Sequence, residues 1–152
     1  MMMSEADGIE SSIVWNDSFK VGYGPMDDGH QELVDLLGTL QQARDTDLAA
    51  LLLTLQKHLQ SHFDFENGLM VTSKFPPSDC HIEEHTAVLR SVAEVIDCAT
   101  EGNFTMGRRL VSALVDWFPA HADYLDSALA HWLVSHQMGG KPIVLRRKQP
   151  LG

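Results

Sequence analysis

The sequence lacks the features that define several classes of protein. No apolar run approaches the roughly 18 residues that a transmembrane helix requires. The N-terminus, which begins Met1-Met2-Met3, lacks the basic region and apolar core of a secretory signal. Only two cysteines, Cys80 and Cys98, occur among 152 residues, which is too few for a disulfide framework. These absences predict a cytoplasmic protein, because thiols stay reduced in that compartment.

Positive charge is scarce over most of the chain. The net charge is −10, and all 21 acidic residues precede Gly140. Four of the 11 basic residues lie in the last part of the chain, namely Lys141, Arg146, Arg147 and Lys148. An acidic body argues against nucleic acid as a partner. Residues 138–152 are predicted to form a solvated basic tail, which is also a candidate contact for a protein partner.

The pattern contains no convincing strand, no internal repeat and no low-complexity tract, whereas helical periodicity is strong. The first helix is predicted from Pro25 to about Arg44, and Asp45-Thr46-Asp47 is predicted to cap the second. Phe75-Pro76-Pro77 ends the second helix, and Ser78 or Asp79 can cap the third.

Glu101-Gly102-Asn103 separates the third helix from a fourth, which is predicted from about Thr105 to Asp126. A further helical piece extends to about Gln137. Four long helices with short connections predict an all-α fold, an antiparallel up-down-up-down four-helix bundle. We expect an extended N-terminal arm over residues 1–24, and the bundle with its short C-terminal helix over residues 25–137.

Polar side chains interrupt the apolar stripe of every predicted bundle helix. His62 and Glu66 are four residues apart beside Leu59 and Phe63, so they lie one turn apart on one helix face. A buried carboxylate without a partner is costly. The ligand-type residues at such positions are His30, His62, Glu66, His81, His85, His121 and Asp126. Seven of them would leave too many buried polar atoms without partners, which predicts a metal site.

The order and spacing of these seven residues resemble the hemerythrin family, and within it the single-domain bacterial members, the bacteriohemerythrins. The family pattern is a lone His on the first helix, then H-F-x-x-E, H-x-x-x-H and H-x-x-x-x-D on the next three. The sequence has His30, His62-Phe63 with Glu66, His81 with His85, and His121 with Asp126 in this order. The resemblance covers about residues 13 to 130 and includes Trp15, Asp27 and Trp117.

The resemblance implies two non-heme iron ions joined by an oxo or hydroxo bridge. By resemblance, the three histidines of the third and fourth helices hold one iron, the two histidines of the first and second helices hold the other, and both carboxylates bridge the pair. Imidazole with carboxylate suits iron, and this set leaves one position of two octahedra open. The implied function is reversible binding of dioxygen there, for storage or delivery, with small anions such as azide as further ligands.

Reversible binding requires a dry pocket. Six residues next to a ligand or one turn from it are predicted to form its walls: Leu33, Phe63, Val88, Trp117, Phe118 and Ala122. Ordinary core packing is compatible with the same positions.

Three residues depart from the family pattern. Ala122 stands where the family usually has Ile, which predicts a pocket more open to solvent and anions. Gly29 stands where Gln is common, which predicts weaker support for the neighbouring ligands. Pro119 lies inside the predicted fourth helix. Because His121 and Asp126 are five residues apart, about 140° around an ideal helix, a local widening or kink near Pro119 is predicted.

Other assignments explain less of the sequence. His81-Ile82-Glu83-Glu84-His85 fits the H-x-x-E-H pattern of inverted zinc proteases, with Glu84 as base, but leaves the other histidines unexplained. Ferritin-like di-iron proteins use Glu-x-x-His, which occurs nowhere in this sequence. Cys80 is predicted to be a buried, inert thiol, Met70 and Met106 to fill the core, and His58 to lie at the edge of its stripe or in solvent.

Three functions remain. The first is a non-enzymatic oxygen-binding protein. The second is an oxygen or redox sensor that acts through a partner protein. The third is a di-iron enzyme that consumes peroxide or nitric oxide.

Overall fold

The computed structural model describes residues 12–76 and 78–137. Its four long helices are α1 (Gly24–Gln41), α2 (Asp45–Thr72), α3 (Ser78–Thr100) and α4 (Thr105–His121). A π-helical turn at Ala122–Asp126 joins α4 to α5 (Ser127–Gln137). A 3-10 turn at Asp17–Phe19 precedes α1, and no strand occurs in these residues.

The helices pack as a closed bundle. Each of α1, α2 and α3 packs against the next helix in the chain, and α1 also packs against α4. Connections of only a few residues make consecutive helices antiparallel. The predicted all-α four-helix bundle is confirmed. The division into arm, bundle and tail stays a prediction, and the basic tail of residues 138–152 lies outside the described residues.

Two helix boundaries differ from those predicted. The first helix ends at Gln41 rather than near Arg44, because the amides of Gln42 and Ala43 bond to carbonyls three residues back and close a tight turn. The second begins at Asp45, so this carboxylate stands in the first turn rather than at the cap. Arg44 precedes it without a side-chain capping bond. The acidic first turn still suits the positive end of the helix dipole.

The N-terminal arm is tied to the bundle. The carboxylate of Asp27 accepts hydrogen bonds from the backbone amides of Val21, at 2.8 Å, and Gly22, at 3.3 Å. Gly22 has a φ of 94°, a left-handed conformation that glycine adopts without strain. Trp15 and Phe19 pack on the main core, so the described part of the arm covers one edge of the bundle.

The buried residues form two apolar clusters. The larger is rich in leucine and includes Leu33, Phe63, Val92 and Phe118. The smaller includes Met26, Met70, Phe75 and two residues of α5, Leu129 and Leu133. Along α1, along α2, and along the segment from α4 into α5, residues of the larger cluster lie on one side of the ligand-type residues and residues of the smaller cluster lie on the other. The site is therefore enclosed from both ends of the bundle.

Two buried-residue predictions are wrong. Cys80 is exposed, because the inward positions of the first turns of α3 belong to His81 and His85. Met106 is 41% exposed in the first turn of α4, whereas Met70 is buried as predicted.

Among the residues that the structure describes, every helix is too short or too polar to span a membrane.

Candidate metal centre

All seven ligand-type residues come together inside the bundle, and each is buried. They form two overlapping groups, and within each group the ligand atoms lie within 4.8 Å of one another. The first group contains three histidines and two carboxylates, namely His81, His85, His121, Glu66 and Asp126. The other is made of His30, His62 and Glu66. The division into three and two histidines is the one that the resemblance implies, and the role of each residue as a ligand stays a prediction.

The Glu66 carboxylate faces both groups with different oxygens. Its Oε2 lies 2.6 Å from Nε2 of His62 and 3.2 Å from Nε2 of His30. Its Oε1 lies 3.2 Å from Nε2 of His85 and 3.8 Å from Nε2 of His81.

The Asp126 carboxylate is divided in the same way. Its Oδ2 lies 3.0 Å from Nε2 of His30. Its Oδ1 lies 2.8 Å from Nε2 of His81 and 3.3 Å from Nε2 of His121. Each carboxylate therefore presents one oxygen to each histidine group, and all five histidines present Nε2 inward.

Several inward atoms form no hydrogen bond of acceptable geometry within the described part of the chain, despite the short distances given above. They are Nε2 of His62 and His81, Oε1 of Glu66, and both carboxylate oxygens of Asp126. Buried polar atoms are rarely left in this state. Lone pairs on imidazole nitrogens and carboxylate oxygens that converge in this way fit bound metal cations. The residues present therefore suit the metal that the sequence predicts.

The electrostatics of the protein chain already favour ionised carboxylates. Burial would lower the pKa of His30, but the adjacent carboxylates of Asp126 and Glu66 outweigh it and raise the pKa to about 9. Burial and the charge of Asp126 would raise the pKa of Glu66, but its contacts with His30, His62 and His85 lower it. Contacts with histidines likewise hold the pKa of Asp126 well below its usual range, despite burial.

Two histidines of the three-histidine group, His85 and His121, form hydrogen bonds to polar side chains through Nδ1, the ring nitrogen that faces away from the centre. Nδ1 of His85 lies 2.8 Å from the amide oxygen of Asn67. Nδ1 of His121 lies 2.8 Å from Oε1 of Glu84, which also accepts a hydrogen bond from the indole of Trp117 at 3.0 Å. Partial burial would raise the pKa of Glu84, but these two contacts lower it. Sequence reasoning missed Asn67, and it placed Glu84 only in the zinc-protease pattern.

Aromatic rings enclose the histidines. Phe63 stacks on His85 with ring centroids 3.9 Å apart, and Phe118 meets His30 edge to face at 5.2 Å. Phe19 of the arm covers Phe118 in turn, at 5.5 Å. Rings packed in this way exclude water from the inward atoms.

A π-helical turn places His121 and Asp126 on the same side of the backbone. The turn covers Ala122–Asp126 and begins three residues after Pro119. A wider turn brings residues five apart into line, which an ideal α-helix does not do. The predicted local widening is thus present in the structure.

Gly29 leaves room for the His62 ring. A Cβ built at this position would stand 2.2 Å from Nδ1 of His62. The carbonyl oxygen of Gly29 itself lies 3.1 Å from Nε2 of His58 and bonds to it. His58 also stacks on His62 at 5.8 Å and is half-buried, so it packs against His62 rather than facing solvent alone. A cleft of about 370 Å³, lined by Gly29, His58 and His62, opens beside them.

The six predicted pocket residues divide into two sets. Leu33, Phe63, Phe118 and Ala122 are buried in the main core. Val88 and Trp117 are half-buried and line an outer groove of about 630 Å³ between α3 and α4. Ala122 also borders a cavity of about 440 Å³ between the arm and the π-helical turn. Their role around dioxygen stays a prediction.

Comparisons with known proteins agree with this arrangement. Residues 21–136 match the family model described as the Hemerythrin HHE cation binding domain. A bacteriohemerythrin of Ralstonia nicotianae is 35% identical over 121 residues, which cover 80% of this chain and 88% of that protein. A bacteriohemerythrin of Stenotrophomonas maltophilia is 25% identical over 84% of this chain and 91% of its own length. A myohemerythrin of Sipunculus nudus is 34% identical over 60% of this chain and 77% of its own length.

The fold and the site define a helical-bundle protein with a buried histidine and carboxylate centre able to bind metal. The chain belongs to the hemerythrin family. The predicted resemblance to the bacteriohemerythrins is confirmed by the two bacterial relatives.

Proposed function

We propose that the protein binds two non-heme iron ions and, through them, binds dioxygen reversibly. The observation that carries this proposal is the division of each carboxylate between the two histidine groups. A carboxylate with one oxygen toward each group is arranged to bridge two cations. A centre for one cation would direct its carboxylate oxygens to one position.

Each histidine group would hold one iron, and Glu66 with Asp126 would join the two. His81, His85 and His121 would hold the first iron, and His30 and His62 the second. The second group has fewer histidines, so the iron held there would keep an open coordination position. When bound, the iron pair supplies both that position and the electrons for reversible dioxygen binding.

The chain itself contributes enclosure and fixed geometry. Phe118 and Leu33 keep water from the side of His30, and Phe63 packs flat against His85. The hydrogen bonds from Nδ1 of His85 to Asn67 and from Nδ1 of His121 to Glu84 restrict rotation of the two rings and keep Nε2 directed inward. Exclusion of water supports reversibility, because protons delivered to reduced oxygen promote its release as peroxide.

The proposed role is oxygen storage or delivery rather than catalysis. The relatives named bacteriohemerythrin and myohemerythrin support this class. The cytoplasmic location, azide as a further ligand and a protein partner for the basic tail stay predictions.

Anaerobic reduction followed by cycles of air and nitrogen tests this function. We expect an absorption in the visible range that rises with oxygen, falls when oxygen is removed, and survives repeated cycles. An absorption that bleaches irreversibly, with peroxide in the solution, would contradict the proposal and favour a sensor or an enzyme.

A further inference from the structure

Glu84 occupies a special position beside the three-histidine group. It lies on α3, one residue before His85, yet its side chain reaches across to α4. There one oxygen, Oε1, lies 2.8 Å from Nδ1 of His121 and accepts the indole hydrogen of Trp117 at 3.0 Å. The carboxylate is therefore held by two donors at its inner oxygen.

Trp117 contacts both members of this pair. Its ring stacks on His121 with centroids 4.2 Å apart and an interplanar angle of 29°. The indole thus limits rotation of the imidazole while its N–H fixes Glu84. With Nδ1 donating its hydrogen to Glu84, the Nε2 lone pair of His121 points toward Asp126, 3.3 Å away.

Three of the other histidines have only a neutral partner or none at Nδ1 in the described part of the chain. Nδ1 of His85 faces a neutral amide, that of Asn67. Nδ1 of His30 and Nδ1 of His81 have no hydrogen-bond partner there. A carboxylate that accepts the outer N–H of an imidazole increases the basicity of its inner nitrogen. This effect should make His121 a stronger donor to metal than His30, His81 or His85.

We propose that Glu84, held in place by Trp117, is a positioning residue that fixes the tautomer of His121 and strengthens metal binding at the three-histidine group. The metal in this group is then bound more tightly than the metal at His30 and His62. This inference rests on the proposed function in one respect, which is that His121 binds metal.

A cobalt titration of matched variants tests the inference. Glu84→Gln keeps the size of the side chain and an acceptor oxygen but removes the charge. Glu83→Gln makes the same change at the exposed neighbouring position. We expect the tighter Co²⁺ site of the full chain to weaken about 10- to 100-fold in Glu84→Gln, with a shifted ligand-field spectrum. Glu83→Gln should match the unmodified protein.

The outcomes separate this inference from the proposed function. Tight binding of two Co²⁺ ions by the unmodified chain, with Glu84→Gln within twofold of Glu83→Gln, would overturn the role of Glu84 alone. Failure of the unmodified chain to bind Co²⁺ would overturn the metal centre as well. If Glu84→Gln does not fold, Trp117→Phe keeps an aromatic ring against His121 and removes the hydrogen bond to Glu84. It should weaken the same site by a smaller factor, and unchanged affinity would overturn the proposal.

Discussion

His121 and Asp126 lie five residues apart, and a π-helical turn brings Nε2 of the first to 3.3 Å from Oδ1 of the second. In this turn the regular α-helical hydrogen-bond pattern is interrupted. The wider turn lets the two ligand-type residues face the same centre. Pro119 precedes the turn and has no backbone N–H to donate. The amide of Ala122 still bonds to the carbonyl of Phe118, so the hydrogen bond that proline cannot make is missing from α4 and not from the π-helical turn.

Replacing Pro119 by Ala should therefore leave the metal content unchanged. It restores a backbone donor at an exposed helical position and should raise the free energy of unfolding by about 1–3 kcal/mol. Urea denaturation and metal analysis measure the two effects. A loss of bound metal in Pro119→Ala would show that the proline itself maintains the spacing of His121 and Asp126.

Gly29→Ala should displace His62. The added Cβ would stand 2.2 Å from Nδ1 and 2.5 Å from Cε1 of this ring, which is far inside van der Waals contact. We expect destabilisation of about 1–3 kcal/mol and loss of the metal at His30 and His62. The control is Gly68→Ala on α2, where a Cβ meets nothing within 4 Å. Equal metal content in both variants would contradict this explanation of Gly29.

Ala122→Ile should slow oxidation of the reduced protein by air. Ala122 lies one turn after Phe118, which contacts His30, and it borders the cavity beneath the arm. A larger apolar side chain would fill part of that cavity and restrict water and anions. The rate of loss of the oxygen-bound spectrum and the rate of azide binding measure the effect. Ala93→Ile, at an exposed position on α3, is the control, and equal rates in the two variants would contradict the prediction.

The metal-free protein should lose stability in mildly alkaline solution. The pKa of His30 is raised from 6.5 to about 9 by Asp126 and Glu66, against the effect of burial. A raised pKa in the folded state contributes stability that is complete below pH 6.5 and is lost as pH rises through about 9. The shift corresponds to about 3 kcal/mol at most.

Urea denaturation of the metal-free protein at about pH 6 and about pH 9.5 measures this loss. Metal binding displaces the His30 proton, so the metal-loaded protein should show a much smaller change. A loss of equal size in both forms would mean that other groups cause it.

Much of the fold and the inner site could be predicted because periodicity and ligand spacing are local properties of the sequence. His62 and Glu66 lie one turn apart on any helix, and the five-residue spacing of His121 and Asp126 required a widened turn. The outer contacts could not be predicted in this way. Glu84 reaches His121 across two helices, and the space above Gly29 depends on how α1 and α2 pack.

The buried state of single residues was also hard to predict. Cys80 and Met106 lie near helix starts, where one position around the axis decides between core and solvent. His58 was assigned to the edge of its stripe, but its bond to the Gly29 carbonyl and its stacking on His62 depend on tertiary packing.

The iron content and magnetic coupling of the anaerobically loaded protein test the central claim most directly. The divided carboxylates of Glu66 and Asp126 predict two irons per chain that are magnetically coupled in the diferric form, as Mössbauer and electron paramagnetic resonance spectroscopy would measure. Glu66→Ala should lose the coupled pair, and Asp64→Ala, at an exposed position on the same helix, should keep it. One iron per chain, or two uncoupled ferric ions in the unmodified protein, would contradict the account.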